Sequence, residues 1–241
     1  EVYGRLQMKD TNGVQQTILR LQPNESEEGL GLQLPADGNQ YNQLVNINKK
    51  TTKWIEGIKH SALTKKEVYI SLMTSVSKTI SYSLSATSFN EKELRQISTP
   101  VYKVALPRMG VLPTLPLQYR YAPSRYQGID LPNFEVEQLI QKITIFIMHG
   151  NQNTQIGNSI TLCLEEIQLE LGLMNNFFTT PYNRFGHLTQ RSWIRHLWES
   201  CSKHNITLRG KYAMPVLQRE HDIGLMDTLV SSRTFSKQQE A

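Results

Sequence analysis

Apolar and polar positions alternate along the chain in two different rhythms. The first stretch has a period of two. Val2–Met8 alternates loosely, Lys9–Gly13 carries Asn-Gly turn chemistry, and Thr17–Leu21 is placed to return as a partner strand. Leu30–Leu34 alternates again and reads as a third strand, closed by Pro35 and the turn at Asp37-Gly38. From there the rhythm is helical. Leu44, Ile47, Thr51, Trp54 and Ile58 make one stripe, with Lys49, Lys50 and Lys53 off it and Gly57 weakening its end. Thr64-Lys65-Lys66-Glu67 is a capping box ahead of Val68, Leu72, Val76 and Ile80, which repeat every four residues. Asn90-Glu91-Lys92-Glu93 starts another helix carrying Leu94, Ile97, Val101 and Val104, in which Pro100 predicts a kink or a break.

Five of the ten prolines (107, 113, 116, 123 and 132) fall in one stretch, which predicts a long irregular connection. Beyond it, Phe134–His149 has apolar positions at Ile140, Ile143 and Ile147. Thr154–Leu171 has the cleanest stripe of the chain, at Ile156, Ile160, Leu164, Ile167 and Leu171. Gly150 separates these two as an antiparallel helical pair, and Gly172 is a C-cap. A last helix is expected from about Thr189 to His204, with Ile194, Leu197, Trp198 and Cys201 on one face, and a frayed tail after Ser231. The expected fold is therefore mainly α: a helical, bundle-like region with a small N-terminal antiparallel sheet.

With 39% hydrophobic residues among 241, a true core can form. No apolar run approaches the ~20 residues that span a bilayer; the longest, Ile143–Met148, is flanked by Lys142 and His149. Two scattered cysteines, Cys163 and Cys201, make no disulfide framework and suit a reducing, intracellular compartment, nucleus or cytoplasm. The chain begins at Glu1, which reads as a fragment rather than a complete product.

The net charge of +5 is unevenly spread. No acid lies between Glu93 and Asp130, a window that holds Arg95, Lys103, Arg108, Arg120 and Arg125. A second basic stretch holds Arg184, Arg191, Arg195, Lys203, Arg209, Lys211 and Arg219. Such clusters attract phosphate backbones, and an ordinary solvated face is the alternative. In the acid-free window Tyr102, Tyr119, Tyr121 and Tyr126 interleave with the cations. Aromatic faces could stack on bases there, or could wedge a proline-rich loop onto the core.

Catalytic groupings are missing from the pattern. Asp10, Asp37, Asp130, Asp222 and Asp227 include no adjacent pair for a two-metal site. Glu165, Glu166 and Glu170 read as a solvated helix face, and Gly29-Leu30-Gly31 lacks the rest of a phosphate-binding loop. His196, Cys201 and His204 have the wrong spacing for zinc and no visible fourth ligand. His149 and His187 suit capping or loop positions, and Trp54 and Trp198 suit the core.

Several phrases occur together in order. They are Leu30–Gly38, Lys53-Trp54, Ile80–Thr87, Ala105–Gly110, Arg125–Ile129, Gln168–Gly172 and Ser192-Trp193. This set, spanning roughly Leu19 to Arg209, resembles the region downstream of the catalytic palm in reverse transcriptases of non-LTR-type retroelements from diatoms and other protists. The resemblance implies an RNA-directed DNA polymerase whose Asp-Asp motif and two magnesium ions belong to a palm outside this sequence. It implies no cofactor in the chain itself. Its partners would be an RNA/DNA primer–template and the rest of the polymerase polypeptide. On that view residues 1–36 end the palm, 37–106 are thumb-like helices, 107–132 connect, and 133–230 form a C-terminal helical region before a tail at 231–241.

The nucleic-acid contacts then expected are Lys49, Lys50, Lys53, Lys103, Arg108, Arg120, Arg125, Tyr121, Tyr126, Arg191 and Arg195. Strands parted from the palm would leave open edges. Two other readings stand beside this one: a helical protein–protein interaction module, or an inactive retroelement relic. A separate enzyme built on Asp222, Asp227 or the His196/His204 stretch is a third.

Overall fold

The computed structural model describes residues 7–17, 21–33, 35–150, 152–173, 176–208 and 221–231. The expected strand residues 2–6 and 18–20, the cations Arg209, Lys211 and Arg219, and the tail from 232 onward lie outside them.

The fold is mainly helical with small antiparallel sheets near the start. Strands β1 (Gln7–Lys9) and β2 (Gln15–Thr17) form a hairpin whose strand residues are all exposed. Asp10 closes its turn: its carboxylate accepts from the amides of Asn12 and Val14, both at 2.9 Å. The return strand thus starts two residues earlier than the alternation predicts. The expected third strand is also different. Leu30 and Gly31 take positive φ angles of 52° and 80°, so they turn the chain between β3 (Glu28–Gly29) and β4 (Leu32–Gln33). A two-residue turn of this hand matches the twist of a hairpin, and glycine admits it without strain.

Helix α1 (Tyr41–His60) buries Leu44, Ile47, Thr51, Ile55 and Ile58, and runs through Gly57. The next helix starts at the predicted capping box, in which Thr64 and Glu67 bond each other's backbone. It is α2 (Lys65–Ser71), a π turn (Leu72–Val76) and α3 (Ser77–Leu84) in succession. A repeat of four creeps around a helix of ~3.6 residues per turn. The looser π turn winds that creep back, so Val68, Leu72, Val76 and Ile80 all stay buried.

Helix α4 (Glu91–Arg108) begins at the second capping box, Asn90 with Glu93, and continues unbroken through Pro100 and Pro107. The predicted break is absent for a simple reason. Pro100 and Gln96, whose carbonyl the proline leaves without an amide partner, are both exposed, so the missing bond falls on the solvent side of the helix. The Gln40 side chain, at the start of α1, accepts from the Ser88 amide just before α4, at 2.6 Å. The Arg108 guanidinium, at the end of α4, reaches Ser61 at the end of α1. Both ends therefore match: α1 and α4 run parallel, and the middle helix returns between them. Up, down and up, they enclose one core with Leu72, Ile80, Leu84, Ile97, Val101 and Leu106 inside.

After a short helix α5 (Leu117–Tyr121), α6 (Phe134–His149) joins this unit to a second core. Its Phe134 stacks with Tyr102 in the first core, whereas Leu139 and Phe146 belong to the second. The face it buries is Phe134, Gln138, Leu139, Lys142 and Phe146. The predicted stripe is displaced from it: Ile140 is 57% and Ile147 66% exposed.

Helix α7 (Gln155–Leu171) buries Ile160, Leu164, Ile167 and Leu171 as predicted, but Ile156 stays half exposed. It ends at Gly172 with φ 60°. A single turn, α8 (Tyr182–Phe185), leads to α9 (Trp193–Lys203), which starts later than expected because Ser192 caps it, accepting from the Arg195 amide at 3.1 Å. Ile194, Leu197, Trp198 and Cys201 are buried, and Phe177 and Tyr182 meet Trp198 edge-on at 5.2 and 5.1 Å. The described chain closes with α10 (Leu225–Ser231). No helix among the described residues is long and apolar enough to cross a membrane.

Candidate nucleic-acid interface

The cations predicted to touch nucleic acid divide into two groups by what surrounds them. Lys49 and Lys53 sit one turn apart on the exposed face of α1. Lys103 is exposed on α4, on the same outer face as Pro100 and Pro107. Arg125 and Tyr126 are exposed in the connection, with the guanidinium 4.8 Å from the ring centre, and Arg191 is exposed ahead of α9. Among the described residues none of these four basic positions or Arg191 has a carboxylate within ion-pair distance. Lys50, next to them on α1, is 3.6 Å from Glu28.

The other group braces the fold. Arg108 lies in the last turn of α4, not in the irregular connection, and donates to the carbonyl and hydroxyl of Ser61. Its positive charge also faces the carbonyl end of α1, where the helix dipole favours a cation. Arg120 donates from Nε to the Leu115 carbonyl at 2.7 Å and from Nη2 to that of Pro113. Arg195 donates to the Tyr182 hydroxyl at 2.9 Å and to the Thr189 carbonyl. Charges already committed to carbonyls in this way are poorly placed to neutralise phosphates as well.

The proline-rich connection folds back on itself. Backbone amides of Ile129, Asp130 and Leu131 donate to the carbonyls of Tyr119, Ala122 and Arg120 at 2.9 to 3.0 Å. Gly128 passes so close to Ala122 that a β-carbon would fall 1.9 Å from its carbonyl oxygen. The tyrosines divide as the cations do. Tyr102 is buried and donates to the Pro132 carbonyl at 2.6 Å, and burial pushes its phenol far above the usual range. Tyr121 packs half-buried against the first core, and burial raises it too. Tyr119 and Tyr126 are 56% and 65% exposed, and the Arg125 guanidinium lies over the Tyr126 ring. Wedging and display are thus both realised, by different residues.

Residues suspected of chemistry sit in structural roles. His196 faces the Phe89 carbonyl through Nε2 at 3.1 Å, and His204 lies 3.6 Å from Glu135. Cys201 is buried, its thiol pushed up to about 11. Asp222 is exposed. Among the described residues no group of three His, Cys, Asp or Glu side chains is placed to hold a metal ion.

Two features escaped the sequence reading. One is Lys142, fully buried on α6. Its only sequence signal is its phase: it lies three residues from Leu139 and four from Phe146, on the stripe that competes with Ile140 and Ile147. The other is an apolar groove of about 440 Å³ lined by Ile145, Ile156, Ile160, Cys163, Trp193 and Ile194 among others.

No family model matches the sequence, and no curated protein or solved structure is significantly similar to it.

Proposed function

We propose that this chain is the thumb-like, post-palm region of a retroelement reverse transcriptase, binding the RNA/DNA primer–template by charge and carrying no catalytic centre of its own. The observation that carries the reading is the pair Lys49 and Lys53, exposed on the outer face of α1 and, among the described residues, without an ion-pair partner. Lys103 on α4 and Arg125, stacked over Tyr126, add further exposed charge with no carboxylate in ion-pair distance among the described residues. The packed three-helix unit that contains α1 and α4 supports the same reading, because it holds Lys49, Lys53 and Lys103 on packed helices rather than on a loop. The ordered phrases from Leu30–Gly38 to Ser192-Trp193 support the choice of family by resemblance.

Contacts of this kind neutralise phosphates without reading bases, so binding depends steeply on salt and little on sequence. The test is a titration of the chain against a labelled RNA/DNA hybrid at low and at physiological salt. Binding that weakens steeply with salt is expected. A folded chain that does not bind at low salt removes the reading.

A second reading has its own observation. On α6 the apolar residues Val136, Ile140, Ile143 and Ile147 recur at alternating spacings of four and three, and Ile140, Ile147 and Met148 are well exposed. That face suits helix-on-helix packing, with the remainder of a polymerase polypeptide or with another protein. Association that survives high salt would favour it.

A further inference from the structure

Lys142 is fully buried, and no carboxylate among the described residues lies within ion-pair distance of it. It stands where three parts of the chain meet. Its Nζ is 2.6 Å from Ser88 Oγ in the α3–α4 connection, 3.2 Å from His196 Nδ1 on α9, and 5.1 Å from the centre of the Trp193 ring. Trp193 in turn donates to the Ser85 carbonyl at 2.9 Å, and His196 Nε2 faces the Phe89 carbonyl at 3.1 Å. The connection between the up-down-up helices is thus clasped from α6 and from α9 by one cluster of side chains.

Chemistry settles where the protons sit. A carbonyl only accepts, so His196 carries its proton on Nε2 and leaves Nδ1 as an acceptor. A neutral amine at Lys142 has two N–H groups, one for Ser88 Oγ and one for His196 Nδ1. A third proton brings a full charge into a site with no anion, and only the Trp193 ring softens it. The charged groups on the surrounding elements are engaged elsewhere. Glu91 of α4 and Glu135 of α6 both take Lys203 of α9, His204 of α9 lies beside Glu135, and Glu137 of α6 accepts from Ser81 of α3. Glu170 of α7 accepts from the Gln190 amide. Burial pushes Lys142 down to about 7, and burial together with Lys142 pushes His196 down to about 3.

We propose that Lys142 is a proton-operated latch between the two helical units. As a neutral amine it locks α6 and α9 onto residues 85–90; when it takes up a proton, the ammonium moves toward water and releases them. The open form binds the proton more tightly than the closed form. Closure is therefore favoured as pH rises from about 7 toward the ordinary lysine value of 10.5, and Lys142 adds no further change below 7. This inference stands independently of the nucleic-acid reading.

The experiment is amide hydrogen exchange on the full chain between pH 7 and 9, above the range in which His196 titrates, corrected for intrinsic rates. Protection at residues 85–90 and 193–203 is expected to rise about tenfold per pH unit between 7 and 9, the slope flattening toward pH 7. Residues 44–58, inside the first core, are expected to show no such slope. In Lys142→Met the slope disappears and protection stays high throughout. No slope in the native chain, or an unchanged slope in the variant, overturns the proposal. Should Lys142→Met fail to fold, the lysine Cε resonances of the native chain decide. One lysine titrating near neutral pH supports the latch, and all of them titrating above about 9 overturns it.

Discussion

The indole N–H of Trp193 donates to the carbonyl of Ser85 at 2.9 Å, across 108 residues of sequence. This bond ties the start of α9 to the end of α3, and with it the second core to the first. The same ring covers Lys142 and lines the apolar groove. Trp193→Phe keeps an aromatic face but removes the donor, leaving a half-buried carbonyl short of a partner. A loss of about 1–2 kcal/mol is expected in urea unfolding. A change within error would mean that the junction does not depend on this bond.

The two capping boxes hold the second and third helices of the first unit. Thr64→Ala and Asn90→Ala each remove one side-chain acceptor from the Glu67 and Glu93 amides respectively. Each is expected to cost about 1 kcal/mol, and the two to add because the sites are distinct. Thermal unfolding of the single and double variants checks both statements.

Pro100 sits inside α4 with its ring on the solvent side. It removes one helical hydrogen bond without breaking the helix. Pro100→Ala restores that bond and loses some of the rigidity that proline gives the unfolded chain. The net expectation is a gain of about 2 kcal/mol, read as a higher urea midpoint. A loss of stability would show that the ring is held by contacts the helix needs.

His196 gives the acid side of the stability profile. The folded chain keeps it neutral down to about 3, against an ordinary value of 6.5, mainly through burial. Below 6.5 the unfolded chain takes up this proton first, so stability is complete above 6.5 and drains away as pH falls toward 3. Between pH 6.5 and 4.5 Lys142 adds no slope, because it is protonated in both states there. The decline is expected at up to ~1.4 kcal/mol per pH unit, and His196→Gln should flatten it. Urea midpoints at pH 4.5, 5.5 and 6.5 provide the comparison.

Much of the architecture was legible in the sequence, and the failures share a cause. Thr64-x-x-Glu67 and Asn90-x-x-Glu93 are local signals, and the helices they start begin where those signals lie. The stripes of α1 and α9 are unambiguous because charged residues fill their other faces. On α6 apolar residues occupy two faces at once. The beta-branched Ile140, Ile143 and Ile147 make the more conspicuous stripe, but the core accepted Leu139 and Phe146 with Lys142 between them. Only the tertiary partners, Ser88 and His196, explain a lysine there. A break at Pro100 and a strand through Leu30-Gly31 went astray for the opposite reason. Local rules were applied without knowing which face met water, or that Leu30 would accept a positive φ beside a glycine.

The interface shows the same limit. Composition identified basic clusters, but it could not separate Lys49, Lys53 and Lys103, which are exposed and have no ion-pair partner among the described residues, from Arg108, Arg120 and Arg195, which bond backbone carbonyls. Removing Arg120 would test the loop as much as any ligand.

The most direct measurement is therefore the salt dependence of RNA/DNA-hybrid binding for the native chain and for Lys49→Ala/Lys53→Ala/Lys103→Ala. These side chains are exposed, so thermal unfolding of the variant should match the native chain. If they meet phosphates, affinity falls and the slope of log affinity against log salt becomes shallower by roughly 2 to 3. Equal affinity and equal slope in a folded variant would contradict the account.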